Sequence, residues 1–325
     1  MTSSTVSSPP RFLNALACQN HGGRPPVWIM RQAGRYLPEY QAIRQKFPLE
    51  EMFRTPELIV EITKQPLDIL GVDAAILFAD ILHIPLSFGL DVTFPGKKGP
   101  VVSPLPETLS PLPVGDTLSF VKEGIHLLKQ EITVPLIGFC GGPFTVLSYM
   151  TDHKKRYSDP QTFLTLLQQV TDQSIAYLQM QEDAGVDAIQ IFDSWANLLS
   201  RQEFCRFALP FLKQIVDAVS VPVILFSRGA TQFVSEFVSL KPAGISFDWG
   251  ESLDVIRQRV PETIAVQGNL NPDVLYAPPE IIRKETQKML RSMEGDPGYI
   301  VNLGHGILPD IPVDHVRTFV ETVQS

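Results

Sequence analysis

The chain has 325 residues, with 27 basic and 35 acidic side chains and a formal net charge of −8. With 44% hydrophobic and 19% charged residues, it suits one globular domain with a large core. Its negative balance disfavours nucleic acid and anionic membranes as partners, since both bind through positive surface. Three widely separated cysteines (Cys18, Cys140, Cys205) exclude a disulfide framework and fit a reducing, cytoplasmic compartment.

The first ten residues, MTSSTVSSPP, are rich in Ser, Thr and Pro. They are expected to form a disordered tail (1–10) ahead of a domain over 11–325, with no secretory leader pattern. Apolar runs at 27–30, 74–79, 136–139, 188–192, 222–226, 244–247, 264–266 and 299–303 read as strands. They are near-continuous rather than alternating, as in parallel strands covered on both faces. The longest apolar stretch, 74–90, carries Asp80 and His83 and falls short of the ~18–20 residues that span a bilayer.

Helical signals lie between these runs. Thr55-Pro56-Glu57 offers an N-cap, a proline at the first helical position and an early acid. Segment 160–184 places Phe163, Leu167, Val170, Tyr177 and Leu178 on one stripe. Ser200 and Glu203 fit a capping box, while Pro66 and Pro210 are expected to kink their helices. The Pro/Gly-rich stretch 95–115 is too long for an ordinary βα connection and reads as an ordered excursion. Eight strands alternating with helices predict the α/β class and a single-domain (β/α)₈ TIM-type barrel. A doubly wound sheet is the alternative.

Polar or glycine residues follow nearly every strand, and in a barrel they converge on the C-terminal mouth, where enzymes of this shape place their sites. Segment 24–54 carries six basic residues against Glu39, Glu50 and Glu51, a local positive excess in an acidic chain. Arg24, Lys46 and Arg54 are expected to form surface pairs. Arg31 and Arg35 flank Gln32, Ala33 and Gly34 at a strand end, and guanidinium forks there suit carboxylates or phosphates. Asp80 closes the apolar run AAILFAD, where a carboxylate is costly unless it meets donors. It would cap a helix, pair with an arginine, or accept hydrogen bonds from a ligand and stabilise a developing cation.

His305 stands between two glycines after the last strand, its ring unshielded by neighbours, and is a functional candidate. Ser194 lacks the Gly-x-Ser-x-Gly elbow of a nucleophile and reads as a hydrogen-bonding residue. Tyr149 reads by default as core packing. The other histidines show no metal-ligand spacing. No G-x-G-x-x-G follows a strand, and neither a phosphate-binding G-x-x-x-x-G-K-[ST] nor a C-x-x-C occurs. No metal and no cofactor are expected.

The blocks PPVWIMRQAGRYLPEY (25–40) and PLIGFCGGPFTVLSYM (135–150) closely resemble the two signatures of the uroporphyrinogen decarboxylase family. FADIL (78–82), IFDSWA (191–196), QGNLNPDVLY (267–276) and NLGHGILPD (302–310) resemble further blocks of that family in the same order. The resemblance implies a cofactor-free barrel, a carboxy-lyase of porphyrin and heme biosynthesis. It would convert the four acetate arms of uroporphyrinogen III to methyl groups, giving coproporphyrinogen III and carbon dioxide. By the same resemblance Arg31 and Arg35 take substrate carboxylates, with Gln32, Ala33 and Gly34 lining the site. Asp80 lies under the macrocycle as acceptor for pyrrole N–H groups, and Tyr149, Ser194 and His305 are further substrate contacts. Arg31 is also implied as a candidate proton donor, against the difficulty of deprotonating arginine. A homodimer in the cytoplasm is implied as well.

Three departures from the family pattern concern loop shape: Asn197, Arg228-Gly229, and MTDHKKR after Tyr149. Two other readings stand beside the decarboxylase. A zinc-dependent methyltransferase on the same barrel needs a His-x-Cys pair and a later Cys, and no cysteine lies beyond Cys205. A non-catalytic tetrapyrrole-binding protein would keep the arginines but have no need of Asp80.

Overall fold

The computed structural model describes residues 9–96 and 99–325. Its strands are β1 (Ala75–Ile76), β2 (Val92–Thr93), β3 (Val101–Val102), β4 (Leu136–Gly141), β5 (Ala188–Phe192), β6 (Val223–Phe226), β7 (Gly244–Ser246), β8 (Ala265–Leu270) and β9 (Tyr299–Leu303). Seven of them form one parallel sheet in the order β1-β4-β5-β6-β7-β8-β9, while β2 and β3 pair antiparallel apart from it. A doubly wound sheet reverses its strand order at a switch point; this one advances in a single direction. Every residue of the seven strands is buried, which is why their sequences read as unbroken apolar runs.

The first expected strand, 27–30, is reduced to a single parallel bridge between Val27 and Val301. Side chains compete for its backbone donors. Val27 N–H donates to Asp73 Oδ2 (2.8 Å), Ile29 N–H to Gln32 Oε1 (3.1 Å) and Met30 N–H to Asn302 Oδ1 (2.9 Å). The segment still touches both edges of the sheet. Val301 N–H donates to Pro26 O beside β9, and Asp73 N–H donates to Val27 O just before β1, both at 2.8 Å. The expected strand 74–79 is likewise shortened to β1, with Phe78 N–H donating to Thr63 Oγ1 (2.9 Å). Conversely, β4 and β8 run further than their apolar cores suggest, because glycine and polar residues continue the ladder.

Asp73 carries the junction at this edge. Besides Val27 it accepts two bonds from Arg24, at 2.7 and 2.9 Å. Asp73→Ala strands a buried amide and is expected to lower stability by about 1–3 kcal/mol. A urea titration checks this as a lower midpoint at unchanged slope.

Helices pack on the outer surface of the sheet. Pro160–Ala184 buries the predicted stripe from Phe163 to Leu178 and closes on Gly185 in the left-handed region (φ 110°). The capping box at Ser200 and Glu203 forms as read. Pro210 does not kink a helix: Arg201–Phe207 ends before it, and Pro210 lies in the first turn of the next helix, Leu209–Ala218. There its missing N–H costs nothing. Pro66 sits inside Pro56–Leu70, which continues through it. Thr55 does not cap that helix by its side chain; its hydroxyl donates instead to Glu51 O, 2.9 Å away.

The stretch expected as an excursion over 95–115 contains β3 and ends in the helical turn Val114–Thr117. Its residues 97–98, like residues 1–8 of the expected N-terminal tail, lie outside the described residues.

Candidate active site

The loop after segment 26–30 is built around Gln32. This side chain is fully buried, and its two amide ends are committed to Ile29 N–H and to Ala74 O (3.1 Å each). The Tyr36 hydroxyl donates to Gln32 O at 2.7 Å. So anchored, the backbone turns at Arg31 with φ 64°, a left-handed conformation uncommon for long side chains. The turn lays the Arg31 side chain over Gly306. A Cβ on Gly306 would stand 2.4 Å from Arg31 Cδ and 2.8 Å from Arg31 Nε. The second glycine of Gly-His-Gly therefore makes room for the arginine of a loop 275 residues earlier in the chain.

Arg31, Ala33, Asp80, Ser194 and His305 line one cavity of about 180 Å³, walled otherwise by Met30, Phe53, Phe78, Phe139, Phe192 and other apolar groups. Asp80 follows β1 and is half-buried. Its Oδ1 accepts from Leu82 N–H (2.8 Å), and among the described residues it has no ion pair. Burial pushes its carboxyl up to about 6, against the smaller opposing pull of the Leu82 amide and the Arg31 charge. His305 is pushed the other way, to about 4, by burial and by the charges of Arg31 and Arg228. Its ring packs against Phe226, 6.1 Å between centroids. At neutral pH the cavity thus presents a neutral imidazole, an ionised carboxylate and a guanidinium among aromatic walls.

Ser194 is held by a network below it. Asp193 is fully buried, and its Oδ1 accepts from the Thr145 N–H (3.1 Å) and hydroxyl (2.6 Å). Thr145 Oγ1 accepts in turn from Trp195 N–H (3.0 Å). The carboxylate lies at the start of helix Pro143–Met150, where an anion meets unpaired amides. It fits because Gly142 has no side chain; a Cβ there would lie 2.4 Å from Asp193 Cγ. Burial raises Asp193 to about 6.

The remaining candidates lie around this centre rather than on the cavity wall. Tyr149 packs its ring on Trp195, 4.7 Å between centroids, which places it one residue from Ser194. Arg35 is exposed, and its carbonyl accepts from Gln41 Nε2 (2.6 Å). Gly34 stands beside Arg31 O, 3.1 Å from where its Cβ would be. Of the departures from the family pattern, the 151–156 loop is pinned by Arg156, buried and paired with Glu203 at 3.0 Å. Asn197 approaches Gly229, 3.5 Å from where a Cβ would stand. Of the pairs expected on the surface, Arg24 forms one, with Asp73. Lys46 and Arg54 form none among the described residues.

Three features lay beyond the sequence reading. Gly306 as the bed of Arg31 needs a contact between the two ends of the chain. Asp193 stood in plain view at a strand end, but its bond to Thr145 depends on how β5 meets the next helix. The aromatic floor could have been sought among Phe139 and Phe192, the last large apolar residues of their strands.

Among the described residues, no three His, Cys, Asp or Glu side chains gather closely enough to hold a metal ion. No helix among them is long and apolar enough to cross a membrane.

Comparison with known proteins accords with this geometry. A protein from Methanosarcina mazei described as a methyltransferase shares the fold, with a TM-score of 0.85 at 23% identity over 97% of both chains. A B12-independent methionine synthase from a Shewanella species shares it more loosely, with a TM-score of 0.58 at 14% identity over 94% of both chains. At such identities the likeness concerns fold alone. Sequence relatives are far nearer. The uroporphyrinogen decarboxylase of Protochlamydia amoebophila is 48% identical over 97% of this chain and 91% of its own. That of Geobacter metallireducens is 42% identical over 92% and 94%. The family model described as uroporphyrinogen decarboxylase matches residues 7–325, and with these relatives it shows that the chain belongs to the uroporphyrinogen decarboxylase family.

Proposed function

We propose that this chain is the carboxy-lyase that converts the four acetate arms of uroporphyrinogen III to methyl groups, releasing coproporphyrinogen III and carbon dioxide in heme biosynthesis. The observation that carries the reading is Asp80, a carboxylate with no ion pair among the described residues that lines an apolar cavity together with Arg31. A macrocycle with a ring of pyrrole N–H donors and a rim of carboxylates matches that polarity. The enclosed space of about 180 Å³ is below the roughly 300–1,000 Å³ of ordinary ligand sites, so the macrocycle would also occupy the open mouth. We read the fold as a (β/α)₈ barrel in which segment 26–30 serves as the first strand.

Removing carbon dioxide from a pyrrole acetate requires a sink for the electron pair of the breaking C–C bond. Protonation of the ring carbon next to the one that bears the acetate makes the pyrrole a cation, with positive charge at the acetate-bearing carbon. The methylene–carboxylate bond then breaks, and its electrons form an exocyclic double bond that neutralises the ring. Protonating the exocyclic carbon and releasing the ring proton leaves a methylpyrrole, with one proton consumed per acetate. In this scheme Asp80 accepts pyrrole N–H bonds and stabilises the cationic ring in a water-poor site. Arg31 and Arg35 hold carboxylates and set the reacting arm. His305, neutral here, offers a hydrogen bond without adding charge.

The reading includes a homodimer in the cytoplasm, a domain over 11–325 and no cofactor, all carried by the family resemblance. Anaerobic incubation with the reduced octacarboxylate tests it: four carbon dioxide molecules per macrocycle support it, and none refutes it. The Arg31 bed provides a further check. Gly306→Ala is expected to displace the guanidinium and lower kcat/KM by about 10–100-fold with an unchanged far-ultraviolet circular dichroism spectrum.

The pH profile follows from the same carboxylate. Asp80 must be ionised to stabilise a cation, so kcat/KM of the free enzyme should fall on the acid side, with a limb near pH 6 set by its raised value. An acid limb near pH 4 instead would contradict this assignment.

A further inference from the structure

A second, much smaller cavity of about 20 Å³ adjoins the main one. Asp80 and Phe53 border both. His83 borders only the small one, together with Glu50, Arg54, Leu82 and apolar neighbours. The His83 side chain is 4% exposed and is enclosed edge-on by Phe53, Phe120 and Tyr177, with ring centroids 5.6–6.2 Å away. Its Nδ1 lies 3.2 Å from the Tyr177 hydroxyl, whereas its Nε2 is buried with no partner among the described residues.

A buried polar atom left unpaired destabilises the fold. One ordered water relieves this where the space is roughly 10–15 Å³ or more and two or more polar partners are at hand. The small cavity has the space, and both Asp80 and His83 border it. Asp80 gives one carboxylate oxygen to Leu82 N–H and has a second to offer, and His83 brings Nε2.

We propose that His83 is a positioning residue for Asp80: through one water held in this small cavity, its Nε2–H supports the ionised carboxylate that faces the substrate. The inference rests on the role given to Asp80 above and adds a residue outside the main cavity. Its polarity follows from the neighbours. With the Tyr177 hydroxyl assigned as donor to Nδ1, 3.2 Å away, the ring proton is left on Nε2. Burial and the Arg54 charge hold His83 neutral, near 3, so it acts as a dipole rather than as a cation. The other charged or titratable groups facing Asp80 are Arg31 and His305 in the main cavity, Glu50 and Arg54 in the small one, and Tyr177 beyond it. Glu50 is engaged with Phe94 N–H (3.1 Å). A donor to the ionised form lowers a carboxyl pKa, so its removal should raise that of Asp80.

The test follows Asp80 directly, without substrate. Protein carrying ¹³Cγ-labelled aspartate is titrated by NMR, with the Asp80 signal assigned by its loss in Asp80→Asn. His83→Phe keeps the aromatic packing and removes the donor; the Asp80 midpoint should rise by about one pH unit. His83→Gln places an amide N–H near the former Nε2 and should restore the midpoint to within about 0.3 units of the wild type. An unchanged midpoint in His83→Phe, or a glutamine variant as shifted as the phenylalanine one, overturns the proposal. If His83→Phe fails to fold, a crystal structure of the unaltered protein decides: one water between His83 Nε2 and Asp80 supports the inference, and a dry cavity refutes it. Decarboxylation by the unaltered protein is scored separately, so failure of the proposed activity would leave the titration result readable.

Discussion

Asp80→Asn is expected to lower decarboxylation by about 10²–10³-fold while making the fold more stable at neutral pH. The two effects have one cause. In the folded protein the Asp80 carboxyl is raised from 3.8 to about 6, so the fold holds this proton more tightly than the unfolded chain does. Stability contributed by the group is therefore present below about pH 4 and is lost as the pH rises through about 6. Above that range the fold carries an ionised group that the unfolded chain solvates better. Asparagine keeps the shape and an acceptor oxygen for Leu82 N–H but removes the charge. It should gain on the order of 1–2 kcal/mol at pH 7 and abolish the stability change between pH 4 and 6 attributed to Asp80. Thermal unfolding at pH 5 and pH 7, with initial rates on the same samples, checks both halves. A variant as active as the wild type removes Asp80 from the mechanism. A less stable variant contradicts the account of its burial.

Arg31→Ala is the second large effect, with an expected loss of about 10²-fold in kcat/KM. The guanidinium is placed by a strained turn over a glycine bed, a costly arrangement that packing alone does not require. Arg31→Lys keeps the charge but loses the planar fork and should recover only part of the activity. Arg31→Gly relieves the left-handed backbone. It should melt at or above the wild-type temperature while being as inactive as the alanine variant. Unchanged turnover in Arg31→Ala would end both the binding role and the candidate role as proton donor. The neighbouring His305 adds a second readout: removing the Arg31 charge should raise its titration midpoint, since that charge is among the causes of its depression.

The parts of the fold that were legible in the sequence are those governed by local pattern. Buried parallel strands read as apolar runs, and the capping box at Ser200 needs only two residues three apart. The reading failed where a side chain from elsewhere took a backbone donor. Segment 27–30 has the composition of a strand, but Asp73, Gln32 and Asn302 claim its amides, and β1 is shortened in the same manner by Thr63. Strand-end polarity singled out Arg31, Asp80, Ser194 and His305, which the structure brings to the wall of one cavity. The sequence could not separate Gln32, whose side chain is wholly occupied as an anchor, from Arg31 beside it. Nor could it show that Gly306 accommodates Arg31, or that His83, noted only as a polar residue in an apolar run, borders a small cavity with Asp80. Each of these depends on contacts between distant segments, for which spacing along the chain carries no signal. The charge balance is instructive in the same way: a chain of net charge −8 concentrates its cations in the loop proposed to take an octacarboxylate.

The central claim is that a cofactor-free cavity built on Asp80 and Arg31 removes the acetate carboxylates one after another. The most direct measurement is a time course with anaerobically reduced uroporphyrinogen III and purified protein, freed of added metals and cofactors, with products resolved by mass. The account predicts successive loss of single carbon dioxide molecules, through hepta-, hexa- and pentacarboxylate species, ending at the tetracarboxylate, and no such series with Asp80→Asn. An octacarboxylate that persists unchanged beside the folded wild-type protein would contradict it.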